Sequence, residues 1–403
     1  MKNKNSLLAK APGFLALLSL CFSATAEELP ERERANQIAQ KYLLTDTHID
    51  VPYRLHSGWV DVTGSAPDGQ FDYPRAVKGG LNLPFMSIYT PAEMEEEGGS
   101  FELANQLIDS VEAMVARAPD KFMLVRSVAD AEKTVPSEKI GLAMGLENGS
   151  PIDHKLENVR YFADRGIRYI TLTHGLSNQI ADSSYDENRR WGGLSPFGKE
   201  VISEMNRVGI MVDISHVSDD AFWQTLEVSK VPVIASHSSA RVFTPGFERN
   251  MSDEMIIALA KNGGVIQINW GSSFLTASAN EYSTAFWKLQ EEWAQENGVA
   301  EDSAEAKKFA SDYKENSPYP YATMAETVDH FDHVIKLVGI DHVGIGFDVC
   351  YYLYPTATQN HVEGFQNIGE ANNLFLELEK LGYNKDDIEK IKYKNFFRVS
   401  KKS

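Results

Sequence analysis

A closed (β/α)8 barrel, an α/β fold, is what this sequence predicts, on three observations. Eight short apolar runs punctuate the chain between Tyr42 and Gly346. Most are separated by stretches whose apolar residues recur at helical spacing. The runs themselves are near-continuous in Val, Ile, Leu and Met, which suits strands buried on both faces of a parallel sheet. An open doubly wound sheet is the alternative. No Gly-x-Gly-x-x-Gly follows the first strand, so nothing supports a dinucleotide site.

Residues 1–26 read as a secretory leader. Met1-Lys2-Asn3-Lys4 is basic, Gly13 to Phe22 is apolar, and Ala24-Thr25-Ala26 offers small residues for cleavage. The apolar run is about half the roughly 20 residues a membrane span needs, which argues against an anchor. Cys21 invites a lipoprotein reading, but Leu20 precedes it where a small residue would be expected. The expectation is export, to a periplasm or beyond, and a single barrel domain over 27–403.

Glu31 to Tyr42 reads as an amphipathic helix that leads into the first strand, which ends at Asp46-Thr47-His48-Ile49-Asp50. Gly79-Gly80 turns into a second strand, Leu81 to Ile88, in which Pro84 counts against a central position. Phe101 to Ala116 has helical periodicity. The remaining strands are Ile140–Leu146, Arg168–Thr173, Gly209–Ile214, Val231–Ala235, Gly264–Ile268 and Asp341–Gly346. Helical patterns lie between most of them: His154–Asp164, Ser195–Arg207, Asp219–Val228 and Ser252–Lys261. The segment from Phe286 to Ser317 breaks the alternation. It is rich in Glu, Lys and Ala, carries Trp287 and Trp293, and reads as one or two helices inserted before the last strand. A solvated excursion is the plainer reading of it, a lid or subunit contact the functional one.

The formal net charge is −18, and losing Lys2, Lys4 and Lys10 with the leader takes it to −21. So acidic a chain is a poor partner for nucleic acid or anionic membranes. Only Cys350 remains after the leader, so no internal disulfide forms and stability rests on the core.

Polar groups gather where the apolar runs stop. The first run ends in His48 and Asp50, the third in Glu147, the fourth in His174. The fifth ends in His216, the sixth in His237 and the eighth in Asp348. In a barrel these termini share one rim. Alternation along the first strand also puts His48 and Asp50 on one side. Imidazole nitrogen and carboxylate oxygen together suit zinc, and also manganese, cobalt or iron. Three histidines and two acids exceed one open tetrahedral site. They fit two ions, His48 and Asp50 on one and His216 and His237 on the other, with Glu147 and a water or hydroxide bridging them. The other histidines receive no role. His330 and His333 share a helical face, but surface histidines so placed seldom bind ions. Cys350 reads as a packed apolar residue.

These residues carry a resemblance. The chain is similar to the membrane (renal) dipeptidase family of metallopeptidases, within the amidohydrolase superfamily. Matching stretches include Asp46–Asp50, Gly145–Gly149, Leu172–His174, Asn178–Ser183, Gly198–Asn206, Val212–Ser218, Ala235–Arg241, Arg249-Asn250, Asp341–Gly346 and Asn395–Val399, in the family's order. The resemblance implies a dipeptidase on a metal-dependent hydrolase barrel, with His48, Asp50, Glu147, His216 and His237 holding two zinc ions. It also implies a homodimer. His174 would stand beside the scissile carbonyl, Arg249 on the substrate carboxylate, and Asp348 would handle the proton. Three departures fall near the pocket mouth. Phe247-Glu248 stands where the family has His-Pro, Val349-Cys350-Tyr351 replaces Phe-Asp-Gly, and the 286–317 insertion is long. The alternatives are a related amidohydrolase acting on N-acyl amino acids or lactams, and a barrel that binds ligands without chemistry.

Overall fold

Nine parallel strands organise the computed structural model, which describes residues 42–300, 303–349 and 361–403. The expected leader, the helix before Tyr42, and both cysteines lie outside those residues. The strands are β1 (Thr45–Ile49), β2 (Leu83–Tyr89), β3 (Phe122–Leu124), β4 (Ile140–Glu147), β5 (Ile167–Thr171), β6 (Met211–Asp213), β7 (Ile234–Ser238), β8 (Val265–Asn269) and β9 (Val343–Gly346). Eight of them run in the order β1-β2-β4-β5-β6-β7-β8-β9. The Asp50 N–H donates to Val349 O at 3.2 Å, which brings the last strand back against the first. The result is a nearly closed (β/α)8 barrel. Every predicted strand is present.

β3 has no counterpart in the sequence reading. It is three residues long, too short to show a period, and pairs outside the ring with the start of β4. Pro84 does occupy an interior strand, opposite Asp46. It sits where the β1–β2 register shifts, just after the Asp46–Pro84 pair, and a proline is tolerated at such an irregularity.

Helix starts follow side-chain chemistry. Ser195, Ser218 and Ser252 each accept a bond from a backbone N–H three residues on, opening Pro196–Val208, Asp219–Val228 and Asp253–Asn262. The insertion is a pair of helices, Ala277–Asn297 and Ala304–Asn316. It begins nine residues before the predicted Phe286, because Ala277–Ala285 is small and polar and shows no apolar stripe. Phe286 and Ala310 pack together, flanked by Tyr282 and Tyr313, and Trp293 stacks on Phe309 at 4.8 Å. Among the described residues no helix is long and apolar enough to cross a membrane.

Side chains fill the barrel rather than leaving a pore. Leu83, Phe85, Ala143, Tyr169, Met211, Ile234 and Val265 form a cluster inside it with Phe396 and Phe397 of the C-terminal helix. Gly145 in β4 faces the Tyr169 ring, and a Cβ there would overlap it. The glycine lets Tyr169 reach through the barrel interior to β1.

Candidate metal centre and active site

Glu147 closes β4, and its two carboxylate oxygens face different partners. Oε2 lies 3.1 Å from His48 Nε2, on β1. The same nitrogen is 3.5 Å from Asp50 Oδ1, just past the strand. Oε1 lies 3.3 Å from His216 Nε2, 3.4 Å from His237 Nε2 and 3.8 Å from His174 Nε2. Asp348 completes a third grouping with His48 and Asp50. The seven strand-end residues therefore meet at one rim. His237 differs from expectation only in lying within β7, which runs on to Ser238.

The donor set fits metal better than protons. His216 Nε2 and His237 Nε2 are 2.9 Å apart. Ligand atoms about 2.0–2.1 Å from a common tetrahedral ion stand roughly 3.3 Å from one another, close to the spacings within this trio. Burial holds both imidazoles well below the ordinary histidine pKa, so they are neutral. Burial also disfavours charge on His48, yet Glu147 and Tyr169 beside it outweigh burial and raise its pKa well above the ordinary value. A carboxylate field that draws a proton so strongly also draws a cation.

Hydroxyls set the ring orientations. Tyr169 donates to Thr47 O at 2.9 Å, so its oxygen accepts from His48 Nδ1 at 3.0 Å. Ser236 Oγ donates to Asp213 Oδ2 at 2.5 Å and faces His237 Nδ1 at 2.7 Å. Both partners leave Nε2 facing the cluster, the arrangement that metal-ligating imidazoles adopt. Ser87 on β2 donates to Glu147 Oε2 at 2.9 Å. Asn269 on β8 donates to Asp348 Oδ2 at 2.7 Å. With these two, every strand of the ring serves the site. Sequence reasoning missed Tyr169, Asp213, Ser236, Ser87 and Asn269. The signal available was Asn269 itself, a polar side chain where an apolar run stops.

The rim is strained. Asn148, His216 and Asp348 have φ of 77°, 71° and 51°, a region that side-chain-bearing residues seldom enter. Such outliers cost about 1–3 kcal/mol each and cluster at functional sites. Burial, with Asp50 and Glu147 nearby, raises the Asp348 pKa. His174 is more open, edge-on to Tyr89 at 4.7 Å, and burial lowers its pKa. Arg249 is 3 % exposed. Its Nη1 donates to Ser238 Oγ and its Nη2 to His237 O, both at 2.8 Å. Among the described residues its Nε has no hydrogen-bond partner, and no carboxylate pairs with it.

Comparison with known proteins identifies the family. "Dipeptidase aclJ" of Aspergillus oryzae is 28% identical over 338 residues, 82% of this chain and 69% of that protein. "Dipeptidase 3" of Mus musculus is 26% identical over 377 residues, 91% of this chain and 66% of that protein. The chain thus spans about two thirds of the length of these relatives. Among solved structures, the probable dipeptidase PvdM from Pseudomonas aeruginosa superposes with a TM-score of 0.78 at 25% identity, covering 93% of this chain and 98% of that one. A metallo peptidase from Rhodobacter sphaeroides, liganded with a phosphinate mimic of the dipeptide L-Ala-D-Ala, has the same fold, with a TM-score of 0.70 at 20% identity over 90% of this chain and 99% of that one. The family model for membrane dipeptidase, peptidase family M19, matches residues 32–403. With that match over the whole barrel and its rim of imidazoles and carboxylates, the chain belongs to the membrane dipeptidase family of metal-dependent dipeptide hydrolases.

Proposed function

We propose that this protein hydrolyses the peptide bond of free dipeptides at a pair of zinc ions, including dipeptides with a D-residue at the second position. The observation that carries this reading is the division of Glu147, one oxygen toward His48 and the other toward His216 and His237. His48 and Asp50 would hold one ion, His216 and His237 the other, with Glu147 between them. When bound, such a pair polarises a carbonyl and lowers a water's pKa to about 7.

The chain's own groups then divide the work. Asp348, aimed by Asn269, accepts the proton of the attacking water and returns it to the leaving amine. Its raised pKa suits a group that must do both. His174, at the open side of the cluster, steadies the carbonyl oxygen as negative charge gathers on it. Arg249 takes the substrate's carboxylate. Its buried Nε supports that role, since a donor without an acceptor is costly unless a ligand supplies one. Recognition of the carboxylate end, with the amino end against the acidic cluster, limits the substrate to two residues. Export by the 1–26 leader and pairing into a homodimer belong to the same reading.

The test is metal analysis of the purified protein together with a substrate panel. Two ions per chain and cleavage of free dipeptides, lost with a chelator and restored by zinc, are expected. Cleavage of N-acyl amino acids in place of dipeptides would sink the reading, and so would a protein that binds no metal.

A further inference from the structure

We infer that Tyr185, Phe247 and Phe274 form a side-chain subsite selecting dipeptides with a bulky apolar or aromatic residue at the C-terminal position. This rests on the dipeptidase reading and on Arg249 as the carboxylate anchor. The three rings form a continuous wall. Tyr185 lies 5.9 Å from the His216 ring and 6.0 Å from Phe247, and Phe247 lies 5.8 Å from Phe274. The Arg249 guanidinium carbon sits 5.3 Å over the Phe274 ring. The wall therefore runs from an imidazole of the metal cluster to the cation that takes the carboxylate. A carboxylate on Arg249 brings the adjacent α-carbon, and the side chain it bears, against this wall.

The wall is apolar, partly uncovered and held in place. Tyr185 is 45 % exposed and Phe247 is half-buried. Apolar surface left open beside a polar catalytic cluster is what a ligand's side chain covers. Glu248, next to Phe247 in the chain, turns both oxygens elsewhere. Oε2 pairs with Arg189 Nη2 at 2.5 Å, and Oε1 accepts from the Asp219 N–H at 2.8 Å. That ion pair ties the loop after β5, which carries Tyr185, to the loop after β7, which carries Phe247 and Arg249. Arg241 clamps the second loop as well. It pairs with both oxygens of Asp219 and donates to Glu248 O at 3.0 Å and to Asn250 O at 2.7 Å. Walls fixed in this way need no reorganisation on binding, which favours affinity.

The experiment measures kcat/KM of the zinc-loaded enzyme for Ala-Phe, Ala-Leu, Ala-Ala and Ala-Asp, with either configuration at the second residue. The expected result is an Ala-Phe to Ala-Ala ratio of about tenfold or more, the scale that apolar pockets reach. Phe247→Ala should bring the ratio to within about threefold, mainly through KM for Ala-Phe. Phe247→Leu, which keeps apolar bulk, should retain part of it and serves if the alanine variant does not fold. A wild-type preference for Ala-Ala or Ala-Asp would overturn the subsite while leaving dipeptidase activity standing. A ratio unchanged in the variants would do the same. Failure to cut any of the four would instead overturn the underlying reading, and the subsite with it.

Discussion

The phenolic oxygen of Tyr169 stands 3.0 Å from Nδ1 of His48, across the barrel and 121 residues away in the chain. Its own proton goes to Thr47 O, so it can only accept from the imidazole. Tyr169→Phe should therefore weaken metal binding at the His48 side by about 10–100-fold, the usual cost of losing such a partner. Competition against a graded series of chelators measures this, and an unchanged affinity would reject the orienting role. The same substitution removes the partner of the buried His48 Nδ1, so stability should fall by about 1–3 kcal/mol.

Asp348 gives a separable test, because the proposed reading gives it the proton and leaves the ions to His48, Asp50, Glu147, His216 and His237. Asp348→Asn should keep both ions and lose about 10²–10⁴-fold in kcat. Metal content and turnover are read on the same preparation. Full activity would remove the proton-handling role, and loss of metal would make Asp348 a ligand instead.

His330 predicts a pH effect on stability that is independent of catalysis. It is fully buried in the helix Met324–Val338. Nδ1 accepts from the Ala240 N–H at 3.1 Å and Nε2 donates to Leu275 O at 3.0 Å, so the ring is neutral in the fold. Burial pushes its pKa down to about 4 from the ordinary 6.5. Between those values the unfolded chain binds a proton that the folded chain refuses. Stability from this group is whole above pH 6.5 and is lost as pH falls toward 4, about 3 kcal/mol in all. Denaturant unfolding at pH 7 and pH 5 should show a smaller acid loss in His330→Gln than in the wild type. Equal losses would assign the acid sensitivity elsewhere.

His48, Asp50, Glu147, His174, His216, His237 and Asp348 could be picked out without coordinates for one reason. Parallel strands closed into a ring must all end on the same rim, so a polar residue after an apolar run is directed there whatever its place in the chain. The eight strands of the ring were legible for similarly local reasons, whereas β3 is too short to show a period.

The sequence by itself determined the barrel and the residues at its rim, through patterns that each segment carries alone. Only the tertiary structure decided which oxygen of Glu147 meets which histidine, and that Gly145 makes room for Tyr169 to orient His48. It alone brought Phe247 between Tyr185 and Phe274. Those relationships depend on the stagger between strands and the paths of loops far apart in the chain, and a shift of one residue would exchange every partner. Local patterns carry no record of that stagger, which is settled when the whole core packs.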